Sequence, residues 1–314
     1  MDSDNKQVNL PGDNVYPPVD GATIEELLMF GERLFLESEI YFGHGTDNAW
    51  DEAVLLLFYA LDLPPDTDRS ALTQVLNHAQ QKAITSLYEV RVTQRSPAAY
   101  ITGQAWFCGL LFMVDPRVIV PRSPIGSLIR EQFQPWLLEP PVRVLDLCTG
   151  SGCIGISCAY AFEHAEVVMS DISSDAIDIA MKNIEHHALG DRITAVQSDL
   201  FANINPSHFD LIVSNPPYVD ADDFQSMPEE FRHEPSIALE SGMDGLDFTR
   251  RLLAEAEHYL SPKGVLIVEV GNSSIALEEA FPLVPFLWFE FEEGDGGVFM
   301  LTRKQLIDHR ELFL

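Results

Sequence analysis

Positive charge is what this sequence has least of. Its 314 residues hold 19 Lys and Arg against 49 Asp and Glu, a formal net charge of −30. Binding to DNA or RNA draws mainly on cations that neutralise phosphates, so this balance argues against sequence-specific nucleic-acid binding. It would attract and steer a basic protein partner, or else serves solubility alone or reflects a salty or cold habitat; both readings stay open here. Cysteine is scarce as well: only Cys108, Cys148, Cys153 and Cys158. They form no CxxC pair and lack a nearby histidine, so they read as small buried thiols in a reducing compartment and not as metal ligands. Long apolar runs are absent. AVLLLFYAL and GVLIVEV fall far short of the roughly 20 residues that span a bilayer. No basic segment leads into an apolar run at the N-terminus, which is how a secretory signal would look. The expectation is a cytoplasmic protein with no membrane partner. Internal repeats and low-complexity tracts are also missing.

What remains is a chain with 46% hydrophobic residues, enough for a large and a small domain. Residues 1–21 are polar, with Pro and Gly, and read as a flexible leader. Apolar residues then recur at three-four spacing over Ile24–Glu37, Asp51–Leu63 and Leu72–Thr93, with LDLPPDTDRS breaking the pattern. This predicts a helical domain over residues 22–100. A linker over 101–141 follows. WFCGLLFMV and RVIV, interrupted by Gly109 and Asp115-Pro116, read as a β-hairpin. The corner Val120-Pro-Arg-Ser-Pro124 leads into a helix over Ile125–Leu138.

From residue 142 to 314 strands and helices alternate. VRVLDL, EVVMSDI, ITAVQSD, FDLIVSN and GVLIVEV read as buried parallel strands, and the stretches between them as crossover helices. FLWFEFEE and GVFMLT, around the glycines of Gly294–Gly297, close the chain as an antiparallel hairpin at the sheet edge. The fold class is a doubly wound α/β sheet.

Two stretches of this domain carry chemistry. Leu145–Gly155 reads LDLCTGSGCIG and contains a literal G-x-G-x-x-G at Gly150, Gly152 and Gly155. After a strand, that loop suits a nicotinamide dinucleotide, whose pyrophosphate sits on the helix N-terminus. Yet acids stand at the ends of three successive strands: Asp146, Asp171 and Asp199. Pyrophosphate is repelled by such neighbours, whereas a ligand with an ammonium and a sulfonium is not. S-adenosylmethionine (AdoMet) is a ligand of that kind. Asp171 is placed for the ribose hydroxyls and Asp199 for the adenine amino group, with Cys148, Thr149, Ile172 and Leu200 beside them. At this point either cofactor remains open.

The second stretch is Asn215-Pro216-Pro217-Tyr218, after the fourth strand. A planar amide nitrogen is a poor nucleophile because its lone pair is delocalised. The Asn215 side-chain oxygen and the Pro216 carbonyl can each accept one N–H of an NH2 group. The prolines fix φ and hold that carbonyl in place. Two acceptors pull density onto the nitrogen and aim it at a methyl donor. Tyr218 offers an aromatic face to the planar group, and no tuned general base is needed.

In this context the sequence resembles the AdoMet-dependent amino-methyltransferases that carry (N/D)PPY. Arg95-Ser-Pro-Ala-Ala-Tyr100-Ile-Thr-Gly103, Trp106-Phe107 and Ile119–Pro124 make it similar to the HemK-type protein glutamine N5-methyltransferases. The PRSP corner and the tract Arg232-His-Glu-Pro235 … Gly242-Met-Asp-Gly-Leu-Asp247 resemble one branch, which acts on large-subunit ribosomal protein three. The sister branch acts on the GGQ glutamine of release factors. The resemblance covers roughly residues 24–303. It implies a class I AdoMet-dependent methyltransferase: a Rossmann-like seven-stranded sheet with its last strand antiparallel. It also implies AdoMet as donor, a substrate that is free or in an assembly intermediate, and a helical domain that docks it. Relatives carry an acid where this chain has Ser127, and residues 1–21 have no counterpart. Arg122 could close over the cofactor, but pairing with an acid is expected; His233-Glu234 could contact substrate, but a salt bridge in a surface loop is expected.

Overall fold

A computed structural model of the chain describes Pro18 and residues 21–205, 208–291 and 296–313. The expected leader thus lies outside the described residues, apart from Pro18 and Gly21. The chain divides into two compact units. One runs to Gly103 and includes Pro228–His233; the other comprises Gln104–Met227 and the chain from Glu234 onward.

The first unit is helical: α1 (Ile24–Glu37), α2 (Ala49–Leu61), α3 (His78–Gln94) and α4 (Ala98–Thr102). Thr23 and Glu26 close a reciprocal capping box at the start of α1. The periodic run expected over Leu72–Thr93 is broken. Residues Arg69–Thr73 form a 3-10 turn, and α3 starts only after Asn77, which makes its own capping box with Gln80. Leu27, Leu34, Leu56, Leu57, Ile84 and Tyr88 meet in the core. Arg91 is buried among them. It is compensated by Glu52, by the Tyr41 carbonyl at 2.7 Å and by Glu230 at 3.4 Å. Arg95 reaches the same Glu230 at 3.2 Å.

The second unit begins with β1 (Gln104–Phe107) and β2 (Leu110–Met113), an antiparallel hairpin turning at Cys108-Gly109. RVIV is not a strand. Asp115 accepts the Arg117 N–H on its side chain and the Val118 N–H on its carbonyl, which turns the chain out of the ladder. The expected helix over Ile125–Leu138 shortens to α5 (Ile125–Arg130), because Gln132 and Phe133 take positive φ before Pro135.

Then come β3 (Arg143–Leu147), α6 (Cys153–Ala161), β4 (Glu166–Asp171), α7 (Ser174–His186), β5 (Ile193–Gln197) and β6 (Phe209–Ser214). After them lie α8 (Ala221–Ser226), α9 (Asp247–Glu255), β7 (Leu260–Glu269), α10 (Ser274–Ala280), β8 (Leu287–Trp288), β9 (Val298–Thr302) and α11 (Arg303–Asp308). The sheet order is β5-β4-β3-β6-β7-β9-β8. β3 to β7 pair in parallel, and β9 runs antiparallel between β7 and β8. The run FLWFEFEE contributes only two strand residues, and part of its glycine turn lies outside the described residues.

Both faces of the sheet are buried, as expected for parallel strands with crossover helices. Successive residues alternate between them. Val144, Val167, Val213 and Ile267 pack toward α5, α6 and α7, whereas Leu145, Leu147, Ile212 and Leu266 pack toward α9, α10 and α11. Cys153 and Cys158 belong to the first of these cores, and none of the four cysteines forms a disulfide. Among the described residues no helix is long and apolar enough to cross a membrane. The strand order reverses between β3 and β6, so a crevice is expected at the carboxyl ends of those strands.

Candidate active site

The loop after β3 is held from below. Asp146 is fully buried, and its Oδ2 accepts the Thr149 hydroxyl at 2.5 Å and the Gly155 N–H at 2.9 Å. Among the described residues its Oδ1 has no hydrogen-bond partner, and burial pushes the carboxyl up to about 7. Gly155 is required by close approach. A Cβ there would meet the Met169 sulfur at 2.6 Å and Asp146 Oδ2 at 3.0 Å. Asp171 holds the loop from the side, with Oδ2 accepting the Gly150 N–H at 3.0 Å and Oδ1 the Ser173 N–H at 2.9 Å. Burial raises its pKa as well, partly offset by these bonds.

A cavity of about 680 Å³ opens where the strand order reverses. Of the residues selected from sequence, Cys148, Gly150, Asp171, Ile172, Asp199, Leu200, Asn215 and Pro217 line it. Asp146, Thr149, Gly152, Pro216 and Tyr218 are not among its lining residues. Asp146 and Thr149 act on the loop from behind. Gly152 is the N-cap of α6. Asp199 is half-exposed and already accepts Arg251 Nη2 at 2.9 Å.

Asn215 follows β6 at the cavity wall, and Ser214 beside it donates to the Leu147 carbonyl at 2.8 Å. Among the described residues no hydrogen bond engages the Asn215 side chain, so its amide is available to a ligand. Pro216 is buried. Tyr218 is tied on two sides: its hydroxyl donates to Glu269 Oε1 at 2.9 Å, and its carbonyl accepts Ser273 Oγ at 2.7 Å.

Sequence reasoning placed no residue on the opposite wall. Pro235, Ile237, Ser241, Gly242, Phe248 and Arg251 form it, from the tract after Tyr218 and from α9. The tract Arg232–Asp247 had been noticed as a motif, yet no local rule said where it folds back. Glu234 does form the expected salt bridge, with Arg122, but a buried one and not one at the surface. Its side chain is fully buried, accepting Arg122 in a fork and the Val120 N–H at 2.9 Å. Asn183 was missed altogether. On α7 it donates to the Met113 and Ser151 carbonyls and accepts the Met113 N–H, tying the hairpin to the glycine loop.

Residues 134–244, which hold the glycine loop, Asp171, Asp199 and Asn215–Tyr218, match the family described as methyltransferase small domain. A ribosomal protein uL3 glutamine methyltransferase of Francisella tularensis subsp. tularensis is 46% identical over 293 residues, covering 93% of this chain and 93% of that protein. The chain belongs to the uL3 glutamine methyltransferase family. A second member, from Neisseria gonorrhoeae, is 46% identical over 288 residues, 91% of this chain and 96% of its own length. The match to these uL3 glutamine methyltransferases therefore takes in the helical unit as well as the sheet. The nicotinamide reading of the glycine loop gives way to methyl transfer, in agreement with the acids around it.

Proposed function

We propose that this chain transfers a methyl group from AdoMet to the side-chain N5 of a glutamine in ribosomal protein uL3. The observation that carries the reading is Asn215. Its unengaged carboxamide stands in one cavity with the two hydrogen-bonded oxygens of Asp171.

The donor set suits AdoMet. A carboxylate has about four lone-pair sites, and Asp171 uses two on backbone N–H groups, which leaves acceptors for a ribose diol. Ile172 supplies an apolar surface beside it, and Asp199 keeps a second oxygen for an adenine amino group although Arg251 occupies the first. The acids of the site suit a sulfonium and an ammonium, and would repel a pyrophosphate. When bound, AdoMet supplies an electrophilic methyl group.

The rest of the work falls to the chain. Asn215 Oδ1 accepts one N–H of the glutamine amide and the Pro216 carbonyl the other. Both bonds strengthen as positive charge develops on nitrogen, so they favour the transition state over the ground state. The amide proton departs to solvent after transfer. The net charge of −30 attracts a basic ribosomal protein.

The test is to incubate the enzyme and tritiated AdoMet separately with purified uL3 and with a GGQ release factor. Label is expected in uL3, at a glutamine found by mass spectrometry. Label confined to the release factor would overturn the substrate assignment.

A further inference from the structure

Glu269 ends β7 and is 5% exposed, yet both its oxygens are used. Oε1 accepts the Tyr218 hydroxyl at 2.9 Å and Oε2 accepts the Ser123 hydroxyl at 2.5 Å. The turn after it continues the cradle. Gly271 lies under the Tyr218 ring so closely that a Cβ would come within 2.5 Å of a ring carbon. Ser273 donates to the Tyr218 carbonyl at 2.7 Å. The residues from Glu269 to Ser273 thus grip the tyrosine at its hydroxyl, its ring and its backbone. Ser123 brings the corner after β2 onto the same carboxylate. The adjacent Arg122 forks onto Glu234.

A side chain held at three points and absent from the cavity lining is not built to move against a substrate. Its position dictates the path of the backbone two residues earlier, where the Pro216 carbonyl must point at an incoming N–H. We propose that Glu269 is a positioning residue for methyl transfer: through Tyr218, and braced by Ser123, it fixes the Asn215 and Pro216 acceptors. The proposal rests on the reading of the function above. Small errors of aim at such acceptors are costly, because a displacement of about 1 Å can lower a rate about 100-fold.

The test uses the full chain with purified uL3 and tritiated AdoMet. Glu269→Ala should lower kcat at least about tenfold while leaving the KM for AdoMet within about twofold. Glu269→Gln, which keeps a polar group for both hydroxyls, should recover most of that loss. Tyr218→Phe should lower kcat, and combining it with Glu269→Ala should add little, since both break the same contact. Wild-type kcat in Glu269→Ala, or losses that multiply in the double variant, would overturn the proposal. If Glu269→Ala does not fold, Tyr218→Phe decides: it removes the hydroxyl that Glu269 holds, and a wild-type kcat in that variant would overturn the proposal. Failure of the wild-type enzyme to label uL3 is a different result and strikes the functional reading. In that case the Tyr218 ring carbon bearing the hydroxyl, labelled with 13C and assigned by Tyr218→Phe, must still shift in Glu269→Gln. An unchanged resonance would overturn the contact's role.

Discussion

Arg122 forks onto Glu234, with Nη1 to Oε1 at 2.5 Å and Nη2 to Oε2 at 2.6 Å, and the Glu234 side chain is fully buried. The pair joins the PRSP corner to the tract that forms the far wall of the cavity. Neither the bidentate geometry nor the burial is typical of a surface ion pair, so the interaction matters more than most.

Removing one partner leaves a buried charge without its counterion. Arg122→Ala should therefore destabilise the protein by about 3 to 5 kcal/mol, read from urea unfolding. Arg122→Lys keeps the charge and loses the fork, so its cost should be smaller. A stability equal to wild type in the alanine variant would mean that water reaches Glu234.

Asn215→Ala should leave AdoMet affinity within about threefold and lower kcat on uL3 at least about 100-fold, the usual scale for one lost oxyanion-type or orienting contact. Calorimetry and initial rates measure the two separately. Retained kcat would remove Asn215 from the acceptor pair.

For Asp171 the expectation is the reverse. Asp171→Ala releases Gly150 and Ser173 and removes the ribose acceptor, so the AdoMet Kd should rise at least about tenfold, measured by calorimetry. Asp171→Asn should not rescue it fully, because one oxygen becomes an NH2 that faces the Gly150 N–H.

Burial pushes the Glu269 carboxyl up to about 7, against hydrogen bonds from Ser123 and Tyr218 and the charge of Arg122. The folded state thus holds a proton that the unfolded chain has already lost above its ordinary value of 4.5. Stability from this group is fully present below about pH 4.5 and is lost as pH rises through about 7. Asp146, pushed up to about 7 by burial, has the same sign. Glu269→Gln stays neutral, so relative to wild type it should gain about 2 to 3 kcal/mol of stability between pH 4.5 and 8. Urea titrations at both pH values check this. No change in the difference would mean that Glu269 is ionised throughout.

Much of the architecture was legible because it rests on local rules. The period of Ile24–Glu37 needed no tertiary information, and β6 and β7 appeared as apolar runs. Where the reading missed, a specific local interaction had taken over. Asn77 restarted a helix inside a periodic stretch, and Asp115 turned RVIV away from the hairpin. The two-residue β8 lay within a longer aromatic run whose composition suited a full strand.

The kind of chemistry was readable from residue types and their spacing. The acids at three strand ends and Asn215-Pro-Pro-Tyr218 point to a cationic methyl donor and a planar nitrogen, because they are residue types with particular donors and acceptors at close spacing. Which of these residues face the cavity depended on the folded arrangement. It sent Asp146 beneath the loop and Tyr218 onto Glu269, and it brought Pro235 and Phe248 to the far wall. The reason is that these partners are separated by tens of residues. Which side of a carboxylate or a ring is buried depends on long-range packing of β7 and the loops, and no local periodicity records it.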